Sequence, residues 1–279
     1  VAKAMVRMQG TITTGANQFV QRAAIAALEG PREEVERMRL RYRARRDMVL
    51  AGLRAIEGVR IGSIPATFYA FPDASAAIAR LHETLALQRH AYLKEPDPSL
   101  ATRLELLGRI PGMMMANARR IAAALNDDYG YHNELTAYLF DVLNVAERAQ
   151  YAAAHLEQWM RRDERELEPQ LYGSSKAYIE FQPKGVIGNM PAWNFPVDLS
   201  VGPLVEMLAA GNRVIIKPSE QTPAVGQLLA EMLGDTFARE QVSVVNGGLD
   251  LARHFSTLQW DHLLYTGNTA VGKEVMRNA

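Results

Sequence analysis

The stretch Gly211-Asn212-Arg213-Val214-Ile215-Ile216-Lys217-Pro218-Ser219-Glu220 decides the fold. Its centre is a short, β-branched apolar run. A Gly-Asn pair stands before it and Pro-Ser-Glu after it, which is the pattern of a buried strand rather than a helix. Helix-patterned segments flank it, from about Val197 to Ala210 and from about Val225 to Leu233. The same rhythm continues outward. Upstream, Tyr178 to Gln182 and Val186-Ile187 read as strands. Downstream come strand Val242 to Val245, helix Leu249 to Phe255, strand His262 to Tyr265 and a last helix from Val271. Strands alternating with helices form parallel crossover units, and ligands of such sheets sit at the carboxyl ends of the strands. Three of those ends carry small polar or glycine-rich turns: Lys217-Pro218-Ser219-Glu220, Asn246-Gly247-Gly248 and Thr266-Gly267-Asn268.

The upstream half reads differently. Residues from about 75 to 160 are helical in pattern, interrupted at Pro96 and Pro98, with Ser99 as a helix N-cap and a second break expected at Pro111-Gly112. The helix from about Asn133 to Met160 is expected to be the longest, and the charge run Arg161 to Glu168 reads as a solvated connector. Before residue 75, a helix from about Phe19 to Leu28 stops at Gly30-Pro31. A charged helix then runs from about Arg32 to Ile56, and Thr67 to Phe71 reads as a strand. The basic run Arg39 to Arg46 fits a solvated helix face better than a nucleic-acid patch.

Composition narrows the function. Lys plus Arg number 31 and Asp plus Glu number 31, so no charge imbalance favours nucleic acid or an anionic membrane. Of 279 residues 48% are hydrophobic, enough for a sizeable core, yet no apolar run reaches the ~20 residues of a membrane span. No signal peptide is visible, so the expected location is the cytoplasm. There is no cysteine, which excludes disulfides, thiolate metal sites and thiol nucleophiles together. The six histidines are scattered without metal-ligand spacing, and no metal is expected.

Several segments resemble chemical motifs. Gly267-Asn268-Thr269-Ala270-Val271-Gly272-Lys273 has the spacing of a phosphate-binding loop, but Glu274 stands where Ser or Thr must hold magnesium. What remains is a strand, a glycine turn and a helix N-terminus, a site suited to a pyrophosphate. No G-x-G-x-x-G is present. Lys217 and Glu220 stand just past a buried strand and could reach ligand hydroxyls. On spacing alone, a binding pair and an ordinary charged strand end fit equally well. Ser174-Ser175-Lys176 superficially matches a cofactor-lysine loop, but a strand follows it. Asp127-Asp128 reads as helix capping, and Met113-Met114-Met115 as core filling.

Trp193-Asn194-Phe195-Pro196 and the quoted stretch Gly211 to Glu220 resemble the W-N-[FY]-P and G-N-x-x-x-x-K-P-S-E signatures of the aldehyde dehydrogenase superfamily. Asn246-Gly247-Gly248 and Asp261 to Gly267 are similar to the branch with the class 3 and coniferyl aldehyde enzymes. The resemblance covers about residues 80 to 279. It implies NAD(P)-dependent oxidation of an aldehyde, aromatic in the coniferyl branch, to an acid. It implies Asn194 in the oxyanion hole, Lys217 and Glu220 on the adenosine ribose, and Ser219 and Gly247 within cofactor-binding turns. Trp193 would lie near the phosphates, Gly267 and Asn268 at the pyrophosphate, and Val271 against the adenine. Asn268 departs from the family's usual Ser. Full-length members are homo-oligomers acting on small-molecule aldehydes, with no nucleic-acid or membrane partner. The family's general base and nucleophilic cysteine are not among these residues, so the chain alone is expected to be inactive.

Residues 1 to about 75 resemble a different family. Gln9-Gly10-Thr11 on to Ala23-Ala24, Arg45-Arg46-Asp47 and Ala66 to Pro72 are similar to class I aminotransferases, with Ala66 where that family usually has Gly. The expected organisation is an aminotransferase-like segment over 1–75 and an aldehyde dehydrogenase-like region over 76–279. The expected fold class is α/β: helical N-terminal and middle segments, then an incomplete Rossmann-like parallel sheet with helices on both faces. The alternatives are a fragment of a pyridoxal-phosphate-dependent aminotransferase and a non-catalytic nucleotide-binding protein.

Overall fold

The computed structural model describes residues 22, 24–26, 29–30, 32–55, 60–62 and 75–279. The chain divides into two compact units, residues 1–53 with 63–70, and residues 54–62 with 71–279. Helix α1 is Glu33–Ala55. Its basic run faces solvent for the most part, as a charged helix face should. The expected strand at Thr67 to Phe71 lies outside the described residues, as does most of the expected helix at Phe19 to Leu28.

In the second unit the sheet is four-stranded and parallel. Its strands are β3 Val186–Met190, β4 Arg213–Ile216, β5 Val242–Val244 and β6 His262–Tyr265, in the order β5-β4-β3-β6. Side chains of a strand alternate between faces, and here both faces are covered. Ile187, Val214, Ile216 and Val242 pack with helices α3 Leu100–Tyr129, α5 Asn144–Trp159, α7 Asp198–Ala209 and α8 Pro223–Thr236. Val186, Met190, Ile215 and Val245 pack on the other side with α2 Ser75–Lys94, α9 Leu249–Ser256 and α10 Thr269–Asn278. A strand buried on both faces reads as a continuous apolar run, which is why Val214-Ile215-Ile216 identifies the sheet.

Three upstream expectations are corrected. The helix α3 does not break at Pro111-Gly112 but runs unbroken for 30 residues, the longest described helix. A mid-helix proline costs ~3 kcal/mol. Leu107, Ile110 and Met114 around it are completely buried, each contributing about 1.5–3 kcal/mol, so packing wins. Ser99 caps this helix as expected, its Oγ accepting from the Thr102 N–H. The segment after Asn133 is not one regular helix. It comprises α4 Glu134–Thr136, a π-helical stretch Ala137–Leu143, and α5. A π-turn inserts an extra residue per turn and rotates the face that follows. Finally, Arg161 to Glu168 is not merely a connector. It contains β1 Asp163–Arg165, paired antiparallel with β2 Ala177–Ile179, with the short helix α6 Pro169–Tyr172 between them. Arg162 covers the Tyr178 ring at 4.3 Å.

No described helix is long and apolar enough to cross a membrane. Met113 and Met114 are buried as core, while Met115 is exposed. Asp128 is a cap, though for a helix far along the chain: its two carboxylate oxygens accept from the Ala224 and Val225 N–H groups at 3.0 and 2.9 Å. These are first-turn donors of α8 with no intrahelical acceptor. Burial raises the Asp128 pKa, opposed by those two hydrogen bonds. Asp128→Ala should therefore destabilise the fold by about 0.5–2 kcal/mol. Urea unfolding is the measurement, and an unchanged midpoint would show that the cap contributes nothing.

Candidate functional site

The strand order places the site. From β3 the chain moves one way, to β4 and then β5, and crosses back to place β6 on the other side of β3. The order reverses between β3 and β6, and at the carboxyl ends of such a pair open α/β sheets bind ligands. Backbone hydrogen bonds carry the strands into their turns. The Lys217 N–H donates to Asn189 O at 2.9 Å, Val245 N–H to Ile216 O at 2.9 Å, and Thr266 N–H to Met190 O at 3.0 Å.

After β4, Lys217 is 2% exposed. Its ammonium donates to the Pro218 carbonyl at 2.9 Å and to the Glu220 carboxylate at 3.2 Å. Burial lowers its pKa, and the Glu220 charge and hydrogen bond partly restore it. Glu220 itself stays exposed, so the pair presents a buried donor and an open acceptor at one strand end. Ser219 braces this turn: its Oγ accepts from the Gln221 N–H at 3.2 Å and its carbonyl from the Thr222 N–H at 3.3 Å.

After β6, Gly267 lies close against the Tyr265 side chain, and a Cβ there would push the Tyr265 hydroxyl aside. Asn268 is the N-cap of α10, and its side-chain oxygen accepts from the Val271 N–H at 3.0 Å. The helix therefore begins at Thr269, two residues before the expected Val271 start, which lies exposed in the first turn. Gly247 follows β5, one strand farther from that reversal, and is buried. Its neighbour Asn246 donates to the Gly226 carbonyl at 2.9 Å.

After β3 the loop carries Trp193, Asn194 and Phe195 to the surface, with Trp193 and Phe195 each 50% exposed. The loop is anchored behind. Pro196 is buried and its carbonyl accepts from Ser200 Oγ at 2.5 Å. The Tyr129 hydroxyl donates to the Trp193 carbonyl at 2.5 Å. Burial, then the Asp141 and Asp128 charges, push the Tyr129 pKa up to about 12, so it stays a donor at neutral pH. Asp141, from the π-helical stretch, is 3% exposed. Burial and the Asp198 charge push its pKa up to about 6, opposed by the Asp198 backbone N–H. Asn144 Nδ2 donates to Asp198 Oδ1 at 3.0 Å.

The β3, β4 and β6 turns thus bring Trp193, Asn194, Lys217, Ser219, Glu220, Gly267, Asn268 and Val271 to one edge of the sheet. Sequence reasoning missed Tyr129, Asp141, Asn144 and Asp198. One signal was available: Asp141 is a lone charge within the apolar run Ala137-Tyr138-Leu139-Phe140-Asp141-Val142-Leu143. Among the described residues no group of three or more His, Asp or Glu side chains could hold a metal.

The aldehyde dehydrogenase family model matches residues 68–279. A model of class I and II aminotransferases matches residues 1–125. A probable coniferyl aldehyde dehydrogenase of Caulobacter vibrioides is 39% identical over 209 residues, covering 74% of this chain and 43% of that protein. The dimeric NADP-preferring aldehyde dehydrogenase of Canis lupus familiaris is 32% identical over 202 residues, covering 72% of this chain and 44% of its own length. Among solved structures, the substrate-bound state of Staphylococcus aureus AldH superposes with a TM-score of 0.68 at 26% identity, covering 71% of this chain and 43% of that one. The chain thus spans less than half the length of these relatives.

Lys217 yields a stability prediction. A buried ammonium is costly even when paired. Because its folded pKa lies below the ordinary 10.5, the chain unfolds with proton uptake between those values, and stability rises with pH there. Lys217→Met should therefore melt no lower than wild type at pH 7, with a gain of up to ~2 kcal/mol, and should lose that alkaline rise. Calorimetric melting across pH is the measurement. A large loss of stability in Lys217→Met would show that the pair holds the fold.

Proposed function

Since the chain belongs to the aldehyde dehydrogenase family, we propose that its sheet edge is the dinucleotide half of an NAD(P)-dependent aldehyde oxidation site. The single observation that carries the reading is the Lys217–Glu220 pair at the carboxyl end of a fully buried strand, next to the point where the strand order reverses. The residues present fit a dinucleotide. Lys217 would donate to one adenosine ribose hydroxyl and Glu220 would accept from another. The Asn268 turn and the N-terminus of α10 would hold the pyrophosphate, with positive dipole and backbone N–H groups directed at it. Trp193 would lie beside the phosphates and Val271 would cover the adenine. Ser219 and Gly247 would act through backbone shape, since the hydroxyl of one braces its turn and the other has no side chain.

The dinucleotide supplies the hydride acceptor when bound. This chain's own contribution to the chemistry is Asn194, whose amide would donate to the aldehyde oxygen as negative charge develops on it. No thiol is present in these 279 residues, so no thiohemiacetal forms on them. The substrate would be an aromatic aldehyde, a reading supported by relatives named for coniferyl aldehyde. Glu220's charge disfavours a 2′-phosphate, which supports NAD, although one relative is named NADP-preferring. That relative's name also says dimeric, and a homo-oligomer is part of this reading.

For residues 1–75 we propose an aminotransferase-derived segment, with the dehydrogenase region over 76–279. The aminotransferase match continues to residue 125, but α2 and α3 share their cores with the sheet, which supports a boundary near 75. Lys3 is the sole lysine before that boundary.

Calorimetric titration of NAD into wild type and Glu220→Ala tests the site. The variant should bind about ten- to hundred-fold more weakly, the equivalent of roughly 1.5–3 kcal/mol for a charged hydrogen bond. Equal affinities in two folded proteins would remove Glu220 from the site. Mixing the 279-residue chain with NAD and an aromatic aldehyde should give no reduced cofactor, since no thiolate is present. Absorbance growth above a protein-free control would overturn that expectation.

A further inference from the structure

The loop that presents Asn194 leaves the sheet at the end of β3 and runs into the first turn of α7. That helix carries a proline, Pro203, in its second turn. A regular helix bonds the N–H of residue 203 to the carbonyl of Leu199, and proline has no N–H to give. Its ring also crowds the carbonyl four residues back. The Leu199 carbonyl is therefore orphaned by the sequence of its own helix, in a turn where Ser200, Val201 and Gly202 are buried. A carbonyl left unpaired in such a place is costly. The missing donor comes from the sheet. Asn189 of β3 is completely buried, and its Nδ2 donates to the Leu199 carbonyl at 3.2 Å and to the Ser200 carbonyl at 3.3 Å. Its two amide hydrogens match the two carbonyls. The arrangement has a visible penalty, since Asn189 Oδ1 is buried with no hydrogen-bond partner. Ile187, two residues earlier on the same face of β3, packs in apolar core. An apolar residue at 189 would serve the sheet, so the amide is there for the helix carbonyls.

We propose that Asn189 is a positioning residue for Asn194: its amide stands in for the N–H that Pro203 lacks, and so ties the first turn of α7, with the loop before it, to β3. Its functional meaning rests on the reading of Asn194 as the group that meets the aldehyde oxygen. The connection to the loop is continuous. The Leu199 N–H donates to the Phe195 carbonyl at 2.9 Å, and Ser200 Oγ donates to the Pro196 carbonyl at 2.5 Å. The two residues whose carbonyls Asn189 holds are thus the two that hold Phe195 and Pro196, directly after Asn194. On the other side of Asn194, the Tyr129 hydroxyl holds the Trp193 carbonyl at 2.5 Å. Asn194 therefore stands between two anchored peptides, one tied to α3 and the other to the sheet. The backbone of Asn189 serves the neighbouring turn as well, because its carbonyl accepts the Lys217 N–H at 2.9 Å. One residue of β3 thereby keeps the Asn194 loop and the Lys217 turn in register with each other. The proline completes the device. By freeing a carbonyl, it lets the sheet rather than the helix decide where the first turn of α7 sits.

The dependence of Asn189 on Pro203 makes the test specific. Pro203→Ala restores the N–H that Leu199 lacks, so in that background the Asn189 amide should become dispensable. The chain has three tryptophans, Trp159, Trp193 and Trp260. It is labelled with fluorotryptophan, each resonance is assigned by a Trp→Phe variant, and fluorine NMR spectra are recorded with no ligand added. Trp193 lies next to Asn194 and reports on the loop. Trp159 at the end of α5, and Trp260 against Gly188 on the opposite face of β3, report on the rest of the fold. Asn189→Leu keeps the shape and removes the amide. It should shift and broaden the Trp193 signal and leave those of Trp159 and Trp260 in place. Asn189→Leu combined with Pro203→Ala should return Trp193 to the position and width it has in Pro203→Ala alone. A Trp193 signal that Asn189→Leu does not move overturns the proposal. So does a displacement that persists in the double variant, or one shared by all three tryptophans, which would mark general loosening instead. If Asn189→Leu does not fold, the double variant decides. A folded double variant with the Trp193 signal of Pro203→Ala supports the tie, and an unfolded one beside a folded Pro203→Ala overturns it. Because no ligand is added, this outcome is independent of the NAD titration, so failure of the tie and failure of the dinucleotide reading are seen separately.

Discussion

Val214, Ile215 and Ile216 are all completely buried, and they face two different cores in alternation. Every other part of the second unit depends on that. Burying both faces of β4 demands helices on each side, and helices on each side demand crossover connections, hence parallel strands. Parallel strands in turn bring all their carboxyl ends to one edge. The Trp193 loop, the Lys217–Glu220 turn and the Gly267 turn are neighbours in space for that reason alone, although 75 residues separate the first from Asn268.

Apolar burial in two separate cores favours one register, and polar clips at the opposite edge hold it. Gly211 takes a left-handed conformation at φ 82° that ends α7 and turns the chain into β4. Asn212 follows it, buried, with its side-chain oxygen accepting from the Lys184 and Gly185 N–H groups at 2.7 and 3.0 Å. Asp261 receives the Val186 N–H at 2.7 Å. Two side chains from the neighbouring strands therefore grip the entry of β3, fixing which residues oppose which. A slip of one residue would exchange the two cores. The Gly-Asn of the decisive stretch thus has a structural task at the amino end of the sheet, while Lys-Pro-Ser-Glu serves the carboxyl end.

Much of this was legible in the sequence because period and punctuation carry it. Short β-branched runs alternating with helix-patterned segments marked every strand of the parallel sheet, and the turn residues marked its carboxyl edge. What was not legible depends on contacts between distant residues or on hydrogen-bond register. Pro111 looks like a helix stop, and only the buried Leu107, Ile110 and Met114 show why the helix passes through it. The π-helical stretch leaves no mark in hydrophobic periodicity, so Asp141 could not be placed. The Tyr178 strand was legible, but its antiparallel partner β1 is wholly charged and exposed, with no alternation to read. Tyr129 and Trp193 are 64 residues apart, and their hydrogen bond has no local signature.

Two of the buried charges at this edge share a property that the core does not explain. Lys217 and Asp141 both sit where burial opposes their charged forms, one pKa lowered and the other raised. Each has an oppositely acting neighbour too weak to restore the ordinary value: Glu220 for the lysine, the Asp198 N–H for the aspartate. An apolar residue of similar size would cost less at either position. Buried Arg103 and Arg213, far from this edge, show the contrasting case. Their guanidinium groups cap carbonyls at helix ends, Ala209 for one and Ala91 for the other, and so serve the fold directly. Buried charges with no task in the core, gathered beside the point where the strand order reverses, are the groups that the proposed ligand site would use.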